Sequence, residues 1–462
     1  MSRTKTYIIV AIAFILIGGI GFLSVKKNAH TEVATTTTEL PASDTLDSKN
    51  ETIASEKTSE HTEGEAKIFS DNLASVGKNE HGQRGETTST ETTSLLMPVE
   101  IDKTFTKIGA GRSHGVGITS DGDVYTWGRN NLGQLGYKTD DTQYNPIPHL
   151  VMSDASDIAV GQDHTLVLKK DGTVWGFGSN YTGALGDGTN TDQATPVKVK
   201  DMLGIVHIFT GYKFSMAIAN DGKVYAWGAT CAPSSVRVAA DIAARINTLD
   251  GGYYDPVPSI NPNGYDHNQD CINEAVIGIH SKSPVEMKSL SGVTKDISIG
   301  YGHALILQKD GSVWSFGCNL YGQMGNRTYN NKVENAKPQK ILDIANVKAV
   351  SAGFRHSLAV TEDGKVYMWG INAKLEDGKR LLNSSSPVEM KTLDVKNLAS
   401  VHAGYDISFA LMKDGAVYAW GANTNHVVNN APDQMLAPTL MQLSKKIKVL
   451  APGIDTVLFL TK

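Results

Sequence analysis

Four histidines, His114, His164, His303 and His356, each stand three residues after a glycine in a segment that recurs along the chain. Imidazoles converging on one point would make a metal centre or supply a general base. Here the spacing argues against convergence. Equivalent positions of successive repeats are spread around a ring and point the same way within each repeat. The remaining three repeats carry Phe214, Ile407 and Thr456 there. A structural role, hydrogen-bonding the adjacent turn backbone, fits those replacements. A second metal-like pattern is Asp266-x-Asn268-x-Asp270. It has calcium-loop spacing at three positions but lacks the glycine and glutamate of the sixth and twelfth, so no metal is assigned and calcium stays an open alternative. No nucleophile-base pair or phosphate-cradling glycine loop occurs, and the expectation is a non-enzyme without cofactor.

The two positions directly after the recurring glycine are more informative. The first reads Arg112, Gln162, Tyr212, Tyr301, Phe354, Tyr405 and Ile454; the second reads Ser113, Asp163, Lys213, Gly302, Arg355, Asp406 and Asp455. Aromatics, Arg and Asp gathered on one surface are the material of protein-binding hot spots. The competing reading is that each ring caps its own repeat. The candidate partner-binding set is Arg112, Tyr212, Lys213, Tyr301, Phe354, Arg355, Tyr405 and Asp406. Tyr253, Tyr254 and Tyr265, from an insertion described below, complete it.

These residues need elements to carry them. Six segments share Asp-Gly-x-Val-x-x-x-Gly, beginning at Asp121, Asp171, Asp221, Asp310, Asp363 and Asp414, with a period of about fifty residues. The glycine before each lies about ten residues upstream, and alternating apolar residues join the two. Period-two alternation on both sides of Asp-Gly marks a hairpin, because these residue types tolerate the positive φ of tight turns. Runs such as VTKDISIG close a second hairpin at the upstream glycine, and a Pro-bearing strand (TPVKV, SPVEM) begins each unit. Four short antiparallel strands per repeat make a β-propeller blade.

Together the landmarks G-x-x-H-[ST], D-G-x-V-[YW]-x-[WF]-G and G-Q-[LM]-G resemble the regulator of chromosome condensation repeat family over about residues 66–462. The resemblance implies an all-β, seven-bladed propeller of four-stranded antiparallel blades. For nuclear members it implies guanine-nucleotide exchange on a small GTPase. Secreted bacterial relatives include a propeller that inhibits β-lactamases. The aromatics Trp127, Phe177, Trp227, Phe316, Trp369 and Trp420 are expected between blades.

Six complete units leave one half-unit, VLAPGIDTVLFLTK, at the C-terminus. Its missing half is read at VGKNEHGQRG (residues 76–85), where Val76 aligns with Trp127, Gly77 with Gly128 and Gly82-Gln83 with Gly133-Gln134. Pairing the two chain ends would close the ring and remove an exposed sheet edge. Six blades with a frayed end is the alternative.

The third repeat breaks the period between Gly228 and Pro284 by an insertion at about residues 229–282. It holds an expected short helix, VAADIAARINTL, and a Tyr- and Asp-rich stretch, and should project over the face of the post-glycine residues. A Cys231–Cys271 disulfide within it would close a loop of about 40 residues, worth ~4 kcal/mol in the chain-entropy model, and leave Cys318 free. Two unpaired thiols are the alternative.

The net charge of −5 and pI near 6.2 give no electrostatic case for nucleic acid. Residues 1–27 carry an apolar run, Tyr7 to Val25, long enough to span a bilayer as a helix, and read as a membrane anchor or signal segment. Residues 28–65, rich in Thr, Ser and Glu, read as a disordered stalk. The expectation is a monomeric, cell-surface or secreted propeller that binds a protein, touching the membrane only through its N-terminal segment. A GTPase regulator is one alternative. A carbohydrate-acting enzyme, which would need paired carboxylates at the central channel, is the other.

Overall fold

A computed structural model describes residues 67–229 and 280–462, apart from 330–334, 336, 377–379, 394, 424, 429–430 and 433. The expected anchor and stalk, the insertion helix and the calcium-like stretch lie outside them. Among the described residues no helix is long and apolar enough to cross a membrane.

Seven four-stranded antiparallel sheets follow one another. Blades 1 to 6 span residues 105–152, 155–198, 205–286, 294–340, 347–389 and 398–440. Blade 7 is composite: Ile447–Pro452 and Thr456–Thr461 from the C-terminal end pair with Leu73–Gly77 and Thr93–Pro98. Register across the seam runs without interruption from Leu73 opposite Leu460 to Gly77 opposite Thr456. Backbone bonds extend it at both ends, from Lys78 N to Asp455 O (2.9 Å) and from Thr461 N to Asn72 O (2.8 Å). The ring is thus seven-bladed and closed through the fragment that stood out in the sequence.

Two expectations about local structure are corrected. The Pro-bearing strand closes a unit; it does not open one. Gln193–Lys198, which contains Pro196, is the outermost strand of blade 2 and pairs with Val174–Gly178 of that blade. In the Asp-Gly turn only the glycine takes positive φ, +95° at Gly122 and +78° at Gly172. Gly122 N bonds Thr119 O and Thr119 N bonds Asp123 O, the three-residue hairpin in which a type I turn runs into a left-handed residue. The aspartate instead clamps the far side of the turn, as Asp171 accepts from Thr173 N at 2.9 Å.

Apolar clusters lie between consecutive blades rather than within them. Leu166, Leu168 and Val174 of blade 2 pack on Ile205, Ile208, Ala217 and Trp227 of blade 3. Leu73 and Leu458 of blade 7 pack on Phe105 and Trp127 of blade 1. Three tryptophans also reach backward by the indole N–H: Trp127 to Gln83 O (3.0 Å), Trp227 to Ala184 O (2.8 Å) and Trp369 to Gln323 O (2.8 Å). The indole needs a partner because it is fully buried.

The histidines have a structural role, but their partner is not the turn backbone. Each Nε2 meets the hydroxyl of the next blade: His114 with Thr165 (3.2 Å), His164 with Ser215 (3.3 Å), His303 with Ser357 (2.8 Å) and His356 with Ser408 (2.9 Å). The three replacements follow the same logic. Phe214, Ile407 and Thr456 precede blades whose matching residue is Ala304, Val457 or Gly115, none with a hydroxyl. A histidine stands wherever the neighbour can hydrogen-bond it and nowhere else.

The composite blade carries its own buried charge pair. Arg84 and Glu86 are each about 1 % exposed at 2.5 Å. Arg84 also donates to Gly77 O (3.2 Å), Ser89 O (3.0 Å) and Glu91 O (2.7 Å), so the guanidinium gathers the whole 77–91 loop.

Two predictions follow from this packing. Glu86→Leu, which strands a buried guanidinium, should cost about 3–5 kcal/mol in urea unfolding, and adding Arg84→Met should recover most of it; a single-variant loss below about 1 kcal/mol would contradict the role given to the pair. Burial lowers His114 and His303 from the usual 6.5 to about 3, and His164 and His356 to about 4. The unfolded chain therefore binds protons that the folded one refuses. Their share of stability is complete above about pH 6.5 and is lost as pH falls toward 4, at ~1.4 kcal/mol per pH unit for each histidine. His303→Phe combined with Ser357→Ala should lower the proton uptake on unfolding between pH 6.5 and 4.5 by about one; an unchanged slope would refute the assignment.

Candidate functional site

At the end of each innermost strand the recurring glycine reaches the propeller axis. A Cβ built on Gly111 would lie 2.8 Å from Gly161 O, and one on Gly161 2.7 Å from Gly211 O. Six of the seven glycines leave no room for a side chain in this way, with Gly404 less crowded, and the next residue of each is turned outward onto one face around a cavity of about 130 Å³.

Four of these next residues form a continuous arc of rings over blades 3 to 6. Tyr212 stacks on Tyr301 (centroids 3.9 Å, 18° between planes), Tyr301 meets Phe354 edge-on (4.2 Å, 75°) and Phe354 stacks on Tyr405 (4.0 Å, 22°). Every contact crosses a blade boundary, so the rings do not merely cap their own blades. All four are half-buried. The other three positions are Arg112, whose guanidinium donates to the Gln162 side-chain carbonyl, Gln162 itself, and Ile454.

Charged side chains edge the arc. Arg355 lies over Tyr321 (5.0 Å) and Phe354 (4.9 Å) and pairs with Asp406 at 2.6 Å. Burial opposes the Arg355 charge, but Asp406 raises its pKa above the ordinary value. Lys213 lies over Tyr181 (5.1 Å) and Tyr212 (4.3 Å). Burial alone would raise the Tyr212 hydroxyl; Lys213 and Arg112 beside it hold it below the usual phenol value. Burial raises Asp163 above the ordinary carboxylate range, with Arg112, Arg129 and Lys213 acting against that rise. At the seam, Asp455 accepts from Ser113 (3.1 Å) and pairs with Lys78 (3.6 Å).

Arg112, Tyr212, Lys213, Tyr301, Phe354, Arg355, Tyr405 and Asp406 are therefore brought to one face, while Tyr253, Tyr254 and Tyr265 lie outside the described residues. Reading the sequence missed Tyr181 and Tyr321, which come from the loops after Gly178 and Gly317. The signal was present in the recurring Gly-x-Asn that shapes those loops: Asn180 Oδ1 accepts from Leu185 N (2.9 Å), as Asn319 does from Met324 N (2.9 Å). One expectation is corrected on this face. Cys318, read as the free thiol, is disulfide-bonded. The other two cysteines, Cys231 and Cys271, and the bridge expected between them lie outside the described residues. The carbohydrate-acting alternative needed carboxylates converging at the channel; the cavity is lined by glycines, aromatics, aliphatics, Thr210 and Gln162.

Fold and face define a propeller of fifty-residue repeats with a single aromatic-and-charged rim about its axis. Two models of the regulator of chromosome condensation (RCC1) repeat match the chain, one at residues 121–168, 171–218 and 310–360, the other at 105–134, 155–184, 294–323, 347–374 and 399–426. The chain belongs to the RCC1-repeat family. Over 132 residues it is 30 % identical to the ultraviolet-B receptor UVR8 of Arabidopsis thaliana, covering 28 % of this chain and 29 % of that protein. Protein pim1 of Schizosaccharomyces pombe is 28 % identical over 175 residues, covering 35 % and 32 %. These matches span about a third of each relative's length. Among solved structures, yeast RCC1 (Prp20) in complex with Kap60 superposes with TM-score 0.67 at 18 % identity, covering 85 % of this chain and 90 % of that one. Human WBSCR16 gives 0.66 at 18 % identity, covering 85 % and 100 %. At this identity the two structures speak for the fold.

The electrostatics of the arc predict that Tyr212 ionises ahead of an ordinary tyrosine. In an alkaline absorbance titration at ~295 nm, Tyr212→Phe should remove the earliest phenolate and Lys213→Met should delay it; a titration unchanged by Lys213→Met would contradict the coupling.

Proposed function

We propose that this chain is a non-enzymatic protein-binding propeller that meets its partner through the face carrying Tyr212, Tyr301, Phe354 and Tyr405. The observation that carries the reading is the arc itself. Four half-buried rings contact one another across four blades, edged by Arg112, Lys213, Arg355 and Asp406. Large rings held by their neighbours lose little entropy on binding, and aromatic and arginine side chains dominate interface energetics. The propeller scaffold is rigid, and sites of this kind sit on loops that such a scaffold presents. Prp20, which shares the fold, is described bound to Kap60 and studied for binding to Gsp1p and histones; the binding of proteins, rather than those particular partners, is what we carry over. The Tyr7–Val25 run supports display of the propeller at the outer surface of a membrane, or its secretion. The insertion, with Tyr253, Tyr254 and Tyr265, would extend the same face.

The test pairs the full chain with partners captured from an extracellular fraction and then purified. Tyr301→Ala, Phe354→Ala and Tyr405→Ala should each weaken binding by at least about tenfold, that is ~1.4 kcal/mol, with little change in melting temperature. Binding that survives all three together would place the site on the Asp-Gly end or the rim.

A further inference from the structure

The face holds the same device twice, and the two copies differ in one respect. In each, a cation from the second post-glycine position lies between its own blade's ring and a tyrosine from the preceding blade's loop. Arg355 lies between Phe354 and Tyr321; Lys213 lies between Tyr212 and Tyr181. Arg355 is neutralised within the chain by Asp406 at 2.6 Å. For Lys213, no carboxylate among the described residues comes within 4.0 Å. Position by position, blade 4 supplies Gly302 where blade 6 supplies Asp406, so the carboxylate that would complete the second device is absent from the sequence. Asp163 of blade 2 acts on Lys213 electrostatically but does not come within 4.0 Å of its ammonium.

On this basis we propose, resting on the protein-binding reading above, that the partner fills this gap: a protein segment presents an Asp or Glu carboxylate to Lys213, next to an apolar or aromatic side chain seated against the Tyr212–Tyr301 stack. The physical reason is desolvation. Covering an ammonium with an apolar surface strips its water and is disfavoured unless a counter-charge arrives with it. Arg355 brings its own counter-charge and accepts a neutral surface. Lys213 selects for an acid. The two tyrosine faces favour the cation's position, so the ammonium is presented in place rather than searching.

The experiment uses the purified full chain and a displayed library of random linear peptides of about twelve residues. Selection on the wild-type chain should enrich peptides with Asp or Glu beside an aromatic or aliphatic residue. For one such synthetic peptide, replacing its acid by the amide should weaken binding by at least about tenfold, and Lys213→Gln in the propeller should abolish that difference. Arg355→Gln should leave the acid preference intact. If wild-type and Lys213→Gln chains select peptides with the same acid content, if acid and amide peptides bind alike, or if no peptide is enriched, the inference is overturned while the binding face is left standing. If selected peptides bind undiminished to the Tyr301→Ala, Phe354→Ala, Tyr405→Ala triple variant, the binding face itself falls and takes the inference with it.

Discussion

The close approach of seven backbones at the axis is the constraint on which the rest of the molecule depends. A side chain on Gly161 or Gly353 would lie within 2.7 Å of the next blade's glycine carbonyl, closer than real Cβ atoms come. None of these glycines takes positive φ, so the demand is for space and not for conformation. With the glycines in place the following residues bond in sequence around the ring: Arg112 N to Gln162 O (2.8 Å), Tyr301 N to Gly353 O (3.2 Å), Phe354 N to Gly404 O (3.2 Å) and Ile454 N to Gly111 O (3.1 Å). That chain of backbone bonds sets the ring-to-ring spacing near 4 Å that lets Tyr212, Tyr301, Phe354 and Tyr405 stack.

Because each blade buries its apolar face only against its neighbours, a blade's residues are chosen by the next blade as much as by its own strands. The histidine position shows this directly. His164 faces Ser215, whereas Phe214 at the same place in the following blade faces Ala304. The indoles report the opposite direction, Trp227 reaching back to Ala184 O in blade 2. Hydroxyl and indole contacts thus run both ways across a boundary and give each histidine Nε2 a buried partner, which matters more than the modest net energy of each bond.

Much of this was legible before any coordinates. The Asp-Gly and Gly-x-x-His offsets fixed the number of strands, and the degenerate VGKNEHGQRG completed the count because Gly77 and Gly82 stand where the backbone must be left-handed (φ +107° and +76°). That the post-glycine residues gather on one surface was legible from their equivalent places in the repeats. What stayed hidden depended on contacts between repeats. A single repeat cannot reveal that His114 bonds Thr165 in the next blade, that Tyr181 and Tyr321 arrive from preceding loops, or that Cys318 is bridged, since these join residues far apart in sequence.

The seam and the arc are kept apart. Closure relies on two strands donated by residues 73–98, held by the Leu73–Leu460 register and by the Arg84–Glu86 pair. The position at that seam is Ile454, and those of the two blades after it are Arg112 and Gln162, which bond each other. The four rings of the arc all come from the stretch between residues 205 and 440, and among the described residues no ring-to-ring contact crosses the joint between Leu73–Gly77 and Thr456–Thr461. Opening of the N-terminal strands would expose the edge of blade 7 without separating Tyr212 from Tyr301 or Phe354 from Tyr405. The joint of this ring lies inside blade 7, between Leu73–Gly77 and Thr456–Thr461, and the aromatic surface lies on blades 3 to 6, away from it.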